Sequence, residues 1–290
     1  MQHFIENTAL ICEGGGMRAA YSGGIASIFL EHDIYFPYIT GVSAGTSIAV
    51  CYTLRNIPRL HRCFIDIAGD PNFIGAKHFL RGHGYFNSHY IYEEAFFDDD
   101  HAQHSWDTFC NSPSEVVLSA FNAETGNLRY WHKADIHSYG DLCRVCRASS
   151  SLPVVMPSTY IDGQAYVDGG VREGFVLQPA IDAGIERFVI LPTHVRGFRR
   201  EPSKNMGLTK ALYHNYPKVV EAMETRAANY NRQMDFIDQL EQEGRALVLY
   251  PEEMPIDRTE HDTVKLENAW QKGRAQATRN IDQWLAWMEQ

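Results

Sequence analysis

The hydrophobic residues of this 290-residue chain form short apolar runs and longer segments with helical spacing. Short apolar runs bounded by glycine, proline or polar residues are typical of buried strands. They lie at residues 8–12, 38–40, 116–121, 128–132, 188–193 and 246–250. Helical patterns lie at about residues 20–32, 47–55, 218–242 and 264–289. The first half of the pattern therefore alternates strands with helices.

The order of these elements predicts the fold class. Strand 8–12 leads through a glycine-rich loop into a helix, and residues 38–40 lead through a turn into another. This order gives a parallel sheet with helices on its faces. We therefore predict an α/β protein with three layers, α/β/α, and a mostly parallel central sheet. The segment TYIDGQAYVDGG adds a hairpin, because Asp162-Gly163 accepts the positive φ angles of a tight turn.

No internal repeat and no low-complexity linker divides the chain. With 44% hydrophobic residues, it can bury one large core. We predict a single domain over residues 1–290. Its motif-bearing core covers about residues 8–195, and a helical and strand extension covers about residues 206–290.

The formal net charge of −10 disfavours nucleic acid as a partner, and an anionic membrane as well unless a local basic patch overrides it. Such a patch lies in the loop RGFRREPSKN, at Arg196, Arg199, Arg200 and Lys204. It predicts either transient contact with a membrane surface or phosphate head group, or a solvated loop. We expect no signal peptide, because the first residues show no basic region followed by an apolar one, and no apolar run approaches the roughly 18 residues that cross a bilayer. We expect a cytoplasmic protein of unknown oligomeric state.

Candidate chemistry begins with the segment Gly41-Val42-Ser43-Ala44-Gly45, between a predicted strand and a predicted helix. In hydrolases, G-x-S-x-G is a sharp turn that lifts a nucleophilic serine clear of the sheet. Gly41 and Gly45 would let the backbone cross itself closely. An ordinary glycine–serine turn has the same pattern, so Ser43 needs partners before it indicates catalysis.

The first partner of a nucleophilic serine is a set of donors for the oxyanion that forms on the substrate. Gly14, Gly15 and Gly16 follow a predicted strand and precede a helix, so their successive N–H groups form a natural anion site. Loops that follow parallel strands meet along one edge of the sheet. The three glycines are therefore expected beside Ser43.

The second partner is a base that takes the hydroxyl proton. Asp168 ends the second strand of the predicted hairpin, and Gly169 and Gly170 would let another backbone approach it. His194 follows the predicted strand 188–193 and could complete a Ser-His-Asp triad. An ordinary Asp-Gly turn and a surface histidine would look the same, so both candidates stay open on this ground.

Four blocks of the sequence, in order, resemble those of the patatin-like phospholipases: LICEGGGMRAAYSGGI, ITGVSAGT, RASSSLPVVMPS and YVDGG. They span about residues 10–170, and the later segment from YPKVVEAM to LVLYPEE resembles the C-terminal part of bacterial members. The resemblance implies a hydrolase of lipid carboxylic esters, of phospholipase A or lysophospholipase type. It implies a Ser-Asp dyad and an acyl-enzyme, with no metal and no cofactor.

The resemblance also implies roles for single residues. Ser43 would be the nucleophile and Asp168 the base. The oxyanion region would comprise Gly14, Gly15, Gly16 and Arg18, and the motif-flanking glycines would be Gly41, Gly45, Gly169 and Gly170. The family loop often reads G-x-G-x-x-G, whereas the last position here is Ala19, which still packs closely.

Three other functions fit parts of the sequence. An ordinary triad esterase would use His194. A dinucleotide-binding oxidoreductase would use Gly14-x-Gly16-x-x-Ala19, but it needs an acidic residue at the end of the second strand, and Asp33 precedes that strand. A non-catalytic relative would bind lipid without turnover.

Several remaining features are interpreted as structural. The six scattered cysteines are expected to be reduced and buried, and Cys143-x-x-Cys146 has no second pair at metal-site spacing. The histidines at 78, 83, 89, 101 and 104 show no ligand spacing and are expected in a surface or lid segment. A helical stripe is expected to face the core, at Trp270, Ala277, Ile281, Trp284 and Met288.

Overall fold

The computed structural model describes residues 2–75, 77–78, 82–95, 102–203 and 206–290. Its strands are β1 His3–Phe4, β2 Thr8–Cys12, β3 Ile34–Tyr35, β4 Tyr38–Val42, β5 Glu115–Asn122, β6 Leu128–His132, β7 Thr159–Ile161, β8 Gln164–Asp168, β9 Arg187–Leu191 and β10 Ala246–Val248. Its α-helices are α1 Ala19–Glu31, α2 Ala44–Thr53, α3 Ile57–Phe64, α4 Ala102–Asn111, α5 Tyr139–Ser150, α6 Gln178–Asp182, α7 Gly207–Leu212, α8 Pro217–Gln242 and α9 Thr263–Met288. Short 3₁₀ turns cover Gly16–Arg18, Asp66–Gly69, Lys133–Asp135 and Gly169–Val171, and Tyr90–Ala95 is a π-helical turn.

The main sheet has the strand order β10-β9-β2-β4-β5-β8-β7, and β6 pairs with β5 beside this path. The strands from β10 to β5 are all parallel to one another. β6 and β8 run antiparallel to β5, and β7 and β8 form the predicted hairpin. The prediction of a mostly parallel α/β sheet is confirmed.

Both faces of the sheet are covered, as alternate residues of β2 demonstrate. Leu10 and Cys12 belong to a core that also contains side chains of α1, α2, α3, α5 and α9. Ala9 and Ile11 belong to a second core that contains side chains of α6 and α8. Strands buried on both faces are continuously apolar, which explains the short apolar runs in the sequence. The molecule therefore has the three predicted layers.

The C-terminal helices begin where capping chemistry favours them. Pro217 lies in the first turn of α8, where its missing N–H costs no hydrogen bond. The Asp262 side chain accepts from the N–H groups of Val264 and Lys265 at the start of α9. The expected apolar stripe on α9 is buried, at Trp270, Ala277, Ile281, Trp284 and Met288.

Helix α9 packs tightly against α1 because glycines remove side chains at the crossing. A Cβ built on Gly24 would lie 2.2 Å from the carbonyl oxygen of Trp270, and one on Gly273 would lie 2.1 Å from that of Tyr21. Strand β10 also pairs with β9, so the C-terminal segment contributes to the same sheet and core. The assignment of residues 1–290 to a single domain stays a prediction.

The structure differs from the sequence-based expectations in a few places. β9 ends at Leu191 rather than at residue 193, because Pro192 has no N–H for the ladder. β1 and β3 were not predicted, since two-residue strands leave no periodic signal. All six cysteines are free, but Cys110 is exposed, so the expectation of burial is wrong there. In the described ranges, no helix combines the length and the apolar character that a bilayer crossing requires.

Candidate active site

Strand topology brings the two predicted catalytic residues together. Val42, at the end of β4, pairs with Ser119 of β5, and the next residue of β5, Ala120, pairs with Asp168 at the end of β8. β6 pairs with the other edge of β5 along these residues. β4 and β8 therefore pair with successive parts of the same edge of β5. β4 runs parallel to β5 and β8 antiparallel to it, so their carboxyl ends meet. Ser43 directly follows β4, so it faces Asp168.

The turn at Ser43 is strained and tightly packed. Ser43 has φ 54° and ψ −130°, a conformation that non-glycine residues rarely adopt. A Cβ on Gly41 would lie 2.4 Å from the Gly45 oxygen, and one on Gly45 would lie 2.2 Å from the Cys12 oxygen. The Ser43 N–H donates to Ser149 Oγ at 2.8 Å, a contact that the sequence did not reveal. These contacts hold the hydroxyl in position above the sheet.

The hydroxyl of Ser43 and the carboxyl of Asp168 form a direct hydrogen bond. Ser43 Oγ donates to Asp168 Oδ2 at 2.7 Å, and the Gly170 N–H donates to Asp168 Oδ1 at 2.7 Å. Burial raises the pKa of Asp168 above its ordinary value, although the bond from Ser43 and the charge of Arg226 oppose that rise. A carboxylate that is desolvated is a stronger base than an exposed one. The pair can therefore transfer the hydroxyl proton to Asp168.

The glycine loop packs directly against the serine turn. A Cβ on Gly14 would lie 2.8 Å from the Ser43 Cβ, and one on Gly15 would lie 2.3 Å from Thr193 Oγ1. Gly16 has φ +58°, and its Cβ would lie 2.4 Å from a backbone oxygen. A side chain at Gly14 would push the loop away from Ser43, and side chains at Gly15 and Gly16 would collide with Thr193 and with the Arg258 backbone, which explains the run of three glycines.

Two N–H groups of the glycine loop remain available to an oxyanion. The N–H groups of Gly14 and Met17 donate to backbone carbonyls. Those of Gly15 and Gly16 have no acceptor within the described part of the chain. The N–H of Ala44, the first residue of α2, has none there either, and sequence reasoning did not propose it. The available donors are therefore Gly15, Gly16 and Ala44, while Gly14 contributes packing.

A buried carboxyl group anchors the glycine loop to β9. Glu13 accepts hydrogen bonds from the N–H of Thr193, from Thr193 Oγ1 at 3.0 Å and from the Tyr230 hydroxyl at 2.9 Å. Burial raises the pKa of Glu13, and these bonds oppose that rise. Glu13 directly precedes Gly14, so it positions the loop. Its position before a glycine run was the one available signal in the sequence.

Ser43, Asp168, Gly14, Gly15, Gly16 and Arg18 line a cavity of about 520 Å³. A cavity of this volume is typical of small-molecule sites. One wall is apolar, with Phe64, Ile67, Phe73, Phe86, Ile91, Tyr92, Ala95, Leu152, Val155 and Met156. This wall includes Leu152, Val155 and Met156 of the sequence block RASSSLPVVMPS and part of the expected lid. His104 also lines the cavity, whereas His101 lies outside the described residues.

The basic loop divides into paired and cavity-lining arginines. Arg196 forms two hydrogen bonds with Glu241, at 2.6 and 2.8 Å. Arg199 forms ion pairs with Asp238 at 2.7 Å and with Asp235 at 3.2 Å. Arg200 lines the cavity, and Lys204 lies outside the described residues. The two paired arginines form no free basic patch, and membrane contact of this loop stays a prediction.

The His194 ring packs on Phe198, whereas the hydroxyl of Ser43 bonds to Asp168. The two rings stack with a centroid distance of 3.5 Å, and the buried Nε2 atom of His194 has no hydrogen-bond partner among the described residues. Burial lowers the pKa of His194 to about 3, and the charges of Arg18 and Arg200 contribute. His194 is not among the residues that line the cavity. No group of three potential metal-binding side chains occurs in the described ranges.

The buried carboxyl group of Glu173, next in sequence to the cavity-lining Gly174, is expected to make stability depend on pH. Burial raises its pKa from 4.5 to about 7. Below pH 4.5 the carboxyl group is protonated in both the folded and the unfolded chain, so its contribution to stability is fully present. Between these pH values the unfolded chain releases a proton that the folded chain keeps, so stability falls as the pH rises. Above pH 7 the folded chain holds a buried carboxylate.

Glu173→Gln is therefore expected to raise the free energy of unfolding by about 2 kcal/mol at pH 8 and to change it little at pH 4. Urea unfolding at both pH values measures the difference. Glu201→Gln, at an exposed position, is the matched control and should change stability at neither pH. An equal effect of Glu173→Gln at both pH values would contradict the assigned pKa.

Comparison with known proteins identifies the family of this chain. A family model described as patatin-like phospholipase matches residues 10–181, and one described as a domain of unknown function, DUF6363, matches residues 216–289. The chain is 21% identical over 196 residues to the uncharacterized protein YjjU of Escherichia coli K12, which covers 64% of this chain and 51% of that protein. The chain thus spans about half the length of this relative. The crystal structure of VipD from Legionella pneumophila aligns with 97% of this chain and 67% of that one, at 11% identity and a TM-score of 0.41.

Proposed function

The chain belongs to the patatin-like phospholipase family, and from this premise we propose that it is a serine acyl hydrolase of lipid carboxylic esters. The observation that carries the proposal is the 2.7 Å hydrogen bond from the Ser43 hydroxyl to the buried carboxylate of Asp168. The adjacent apolar wall suits an acyl chain, and the unpaired N–H groups suit an oxyanion. The substrates are phospholipids or lysophospholipids.

The proposed reaction proceeds through an acyl-enzyme. Asp168 Oδ2 takes the hydroxyl proton as Ser43 Oγ attacks the carbonyl carbon, and the N–H groups of Gly15 and Gly16 donate to the resulting oxyanion. The ester C–O bond then breaks, and the alcohol leaves with the proton from Asp168. Water, deprotonated by Asp168, attacks the acyl carbon, and Ser43 leaves with that proton as the fatty acid is released.

The surroundings of Asp168 support its role as the base. A carboxylate must remain ionised at the working pH and still be basic enough to take a proton. Burial raises its pKa, and the charge of Arg226 keeps the rise in check. Arg226 Nε also donates to the Gly170 oxygen at 2.6 Å, which fixes the turn that follows Asp168.

The oxidoreductase alternative has less support. A dinucleotide-binding fold needs an acidic residue at the end of its second strand to hold the ribose. Here β4 ends at Val42 and continues into Ser43. The loop from Gly14 to Ala19 packs against that serine turn instead.

A fluorophosphonate probe tests the proposed function, because it reacts with activated serine hydroxyls. We expect intact-mass analysis to detect one adduct on the protein, and peptide mapping to assign it to Ser43. The same sample should release fatty acid from a lysophospholipid. A protein that binds lipid but accepts no probe would be a non-catalytic relative, and an adduct on another serine would refute the assignment.

His194→Ala distinguishes the dyad from a triad. We expect the variant to retain kcat within about threefold, because a dyad needs no histidine, whereas a triad loses several orders of magnitude with its base. The measurement is kcat on a soluble ester, together with the unfolding temperature, since the ring packs on Phe198. A folded His194→Ala protein as inactive as Ser43→Ala would contradict the dyad.

A further inference from the structure

Four arginines gather around the reacting end of the cavity: Arg18, Arg200, Arg226 and Arg258. None of them forms an ion pair with a carboxylate of the described residues. The buried Nε atoms of Arg18 and Arg200 have no hydrogen-bond partner there. The chain as a whole carries a formal net charge of −10, so the positive charge of these four residues is opposite in sign to that of the whole chain. We call these four residues the arginine cluster.

The positive charges of the arginine cluster repel one another. Burial and the charges of Arg200, Arg258 and Arg18 together lower the pKa of Arg226 to about 10, although the charge of Asp168 opposes this shift. The nearby carboxyl groups compensate only in part, because Asp168 already accepts from Ser43 and Gly170, and Glu13 from Thr193 and Tyr230. Arg18 and Arg226 are also partly desolvated, and a bound anion would offset both the repulsion and the desolvation.

Three members of the cluster come from outside the segment matched by the patatin-like model. Arg200 follows residues 10–181, and Arg226 and Arg258 lie in residues 216–289. Asn231 of α8 holds the backbone of Arg200 through two hydrogen bonds, at 2.8 and 3.1 Å. The guanidinium of Arg200 lies 4.5 Å from the centre of the Tyr230 ring. The C-terminal segment thus supplies positioned cations to the cavity.

Contacts of the cluster determine which part of a substrate it can reach. Arg226 donates to the carbonyl of Gly170, two residues after Asp168, and the carbonyl of Arg258 accepts from Met17 in the glycine loop at 3.1 Å. The cluster is therefore adjacent to both halves of the catalytic site. An ester whose carbonyl lies at Ser43 extends its acyl chain along the apolar wall. The alcohol portion of the ester then lies next to the arginine cluster.

We propose that the arginine cluster binds an anionic group on the alcohol side of the ester, so that the enzyme prefers lipids with a net negative head group, above all a phosphate monoester, over neutral and zwitterionic ones. This inference rests on the proposed function of Ser43. Planar guanidinium groups bind phosphate oxygens in pairs, and such charge-assisted bonds are stronger than neutral ones. The C-terminal segment then acts as a specificity element for the catalytic site.

A series of short-chain esters with one common acyl chain tests the proposal. The series comprises a 1-acylglycerol, its 3-phosphate and its 3-phosphocholine, each below its aggregation concentration. We expect the highest kcat/KM for the phosphate. Arg200→Met and Arg258→Met should each lower kcat/KM for the phosphate about tenfold, as the loss of a charge-assisted bond implies, with the 1-acylglycerol nearly unaffected. Arg200→Lys should recover part of the preference.

Arg199→Met is the matched control, because it removes the same charge one position away. Arg199 is paired with Asp235 and Asp238 on α8, so its replacement should leave the substrate preference unchanged. If Arg200→Met and Arg258→Met lower all three rates equally, the cluster acts on the oxyanion or on Asp168, and the proposal is wrong. A preference for the neutral or zwitterionic ester would also overturn it.

Binding measurements separate this proposal from the proposed hydrolysis. Ser43→Ala protein is titrated calorimetrically with a 1-alkylglycerol, with its 3-phosphate and with inorganic phosphate alone. We expect the ether phosphate to bind most tightly and Arg200→Met to remove its advantage. Persistence of that pattern in an enzyme without hydrolytic activity would refute the proposed function and retain the anion site. Equal affinity for inorganic phosphate would identify a free-anion site and overturn the head-group proposal.

Discussion

Replacement of Ser43 by alanine is expected to reduce ester hydrolysis to the uncatalysed rate. Without Oγ no acyl-enzyme forms, and loss of a serine nucleophile lowers kcat by about 10⁶-fold in well-studied hydrolases. The fold should persist, since alanine occupies the turn at φ 54° with the same Cβ. Fatty-acid release from a lysophospholipid measures activity, and thermal unfolding checks the fold.

The matched control for this variant is Ser203→Ala, which removes the same atom from an exposed position of the polar loop. It should hydrolyse ester at the wild-type rate and still accept the fluorophosphonate probe. Substantial hydrolysis by a pure Ser43→Ala protein would show that another group is the nucleophile.

Asp168→Asn is expected to lower kcat by roughly 10³- to 10⁴-fold, the loss seen when the base system of a serine hydrolase is disabled. The amide oxygen can still accept the N–H of Gly170, so the shape of the site is preserved. The amide nitrogen cannot take the proton of Ser43. In the wild type, activity should fall as the pH falls through the pKa of Asp168, which burial places above the ordinary 3.8.

Asp162→Asn provides the same chemical change at the tip of the same hairpin. Asp162 is exposed and has φ 51°, a conformation that asparagine tolerates. Its kcat should match that of the wild type. If Asp168→Asn also kept wild-type kcat, the base would have to be another group, and His104 would be the next residue of the cavity to test.

Much of the fold could be predicted because its elements have strong local signals. β2 and β6 have the predicted bounds, and α8 and α9 begin and end within one residue of them. The hairpin turns at Asp162 and Gly163, both with positive φ, as their residue types indicate. Of the candidate site, Ser43, Asp168 and the three glycines were named from motifs, and their catalytic roles stay predictions.

Other residues of the site had no local signal. Ser149 contacts the site from helix α5, whose pattern is that of an ordinary buried helix. Arg226 lies in the long helix α8, where an arginine usually indicates a solvated face. Arg258 lies in a loop between β10 and α9. Only their tertiary positions bring them to the cavity.

The sequence by itself determined the backbone of the site, because turns and close approaches depend on the residues at the turn. Glycines at 41 and 45 permit the serine turn, and those at 14–16 permit the loop to pack beside it. Only the tertiary structure decided the partner of Ser43. β8 takes the edge of β5 where β4 ends, so Asp168 meets the serine and His194 does not. Such pairing depends on contacts between distant segments, which no periodicity within a segment encodes.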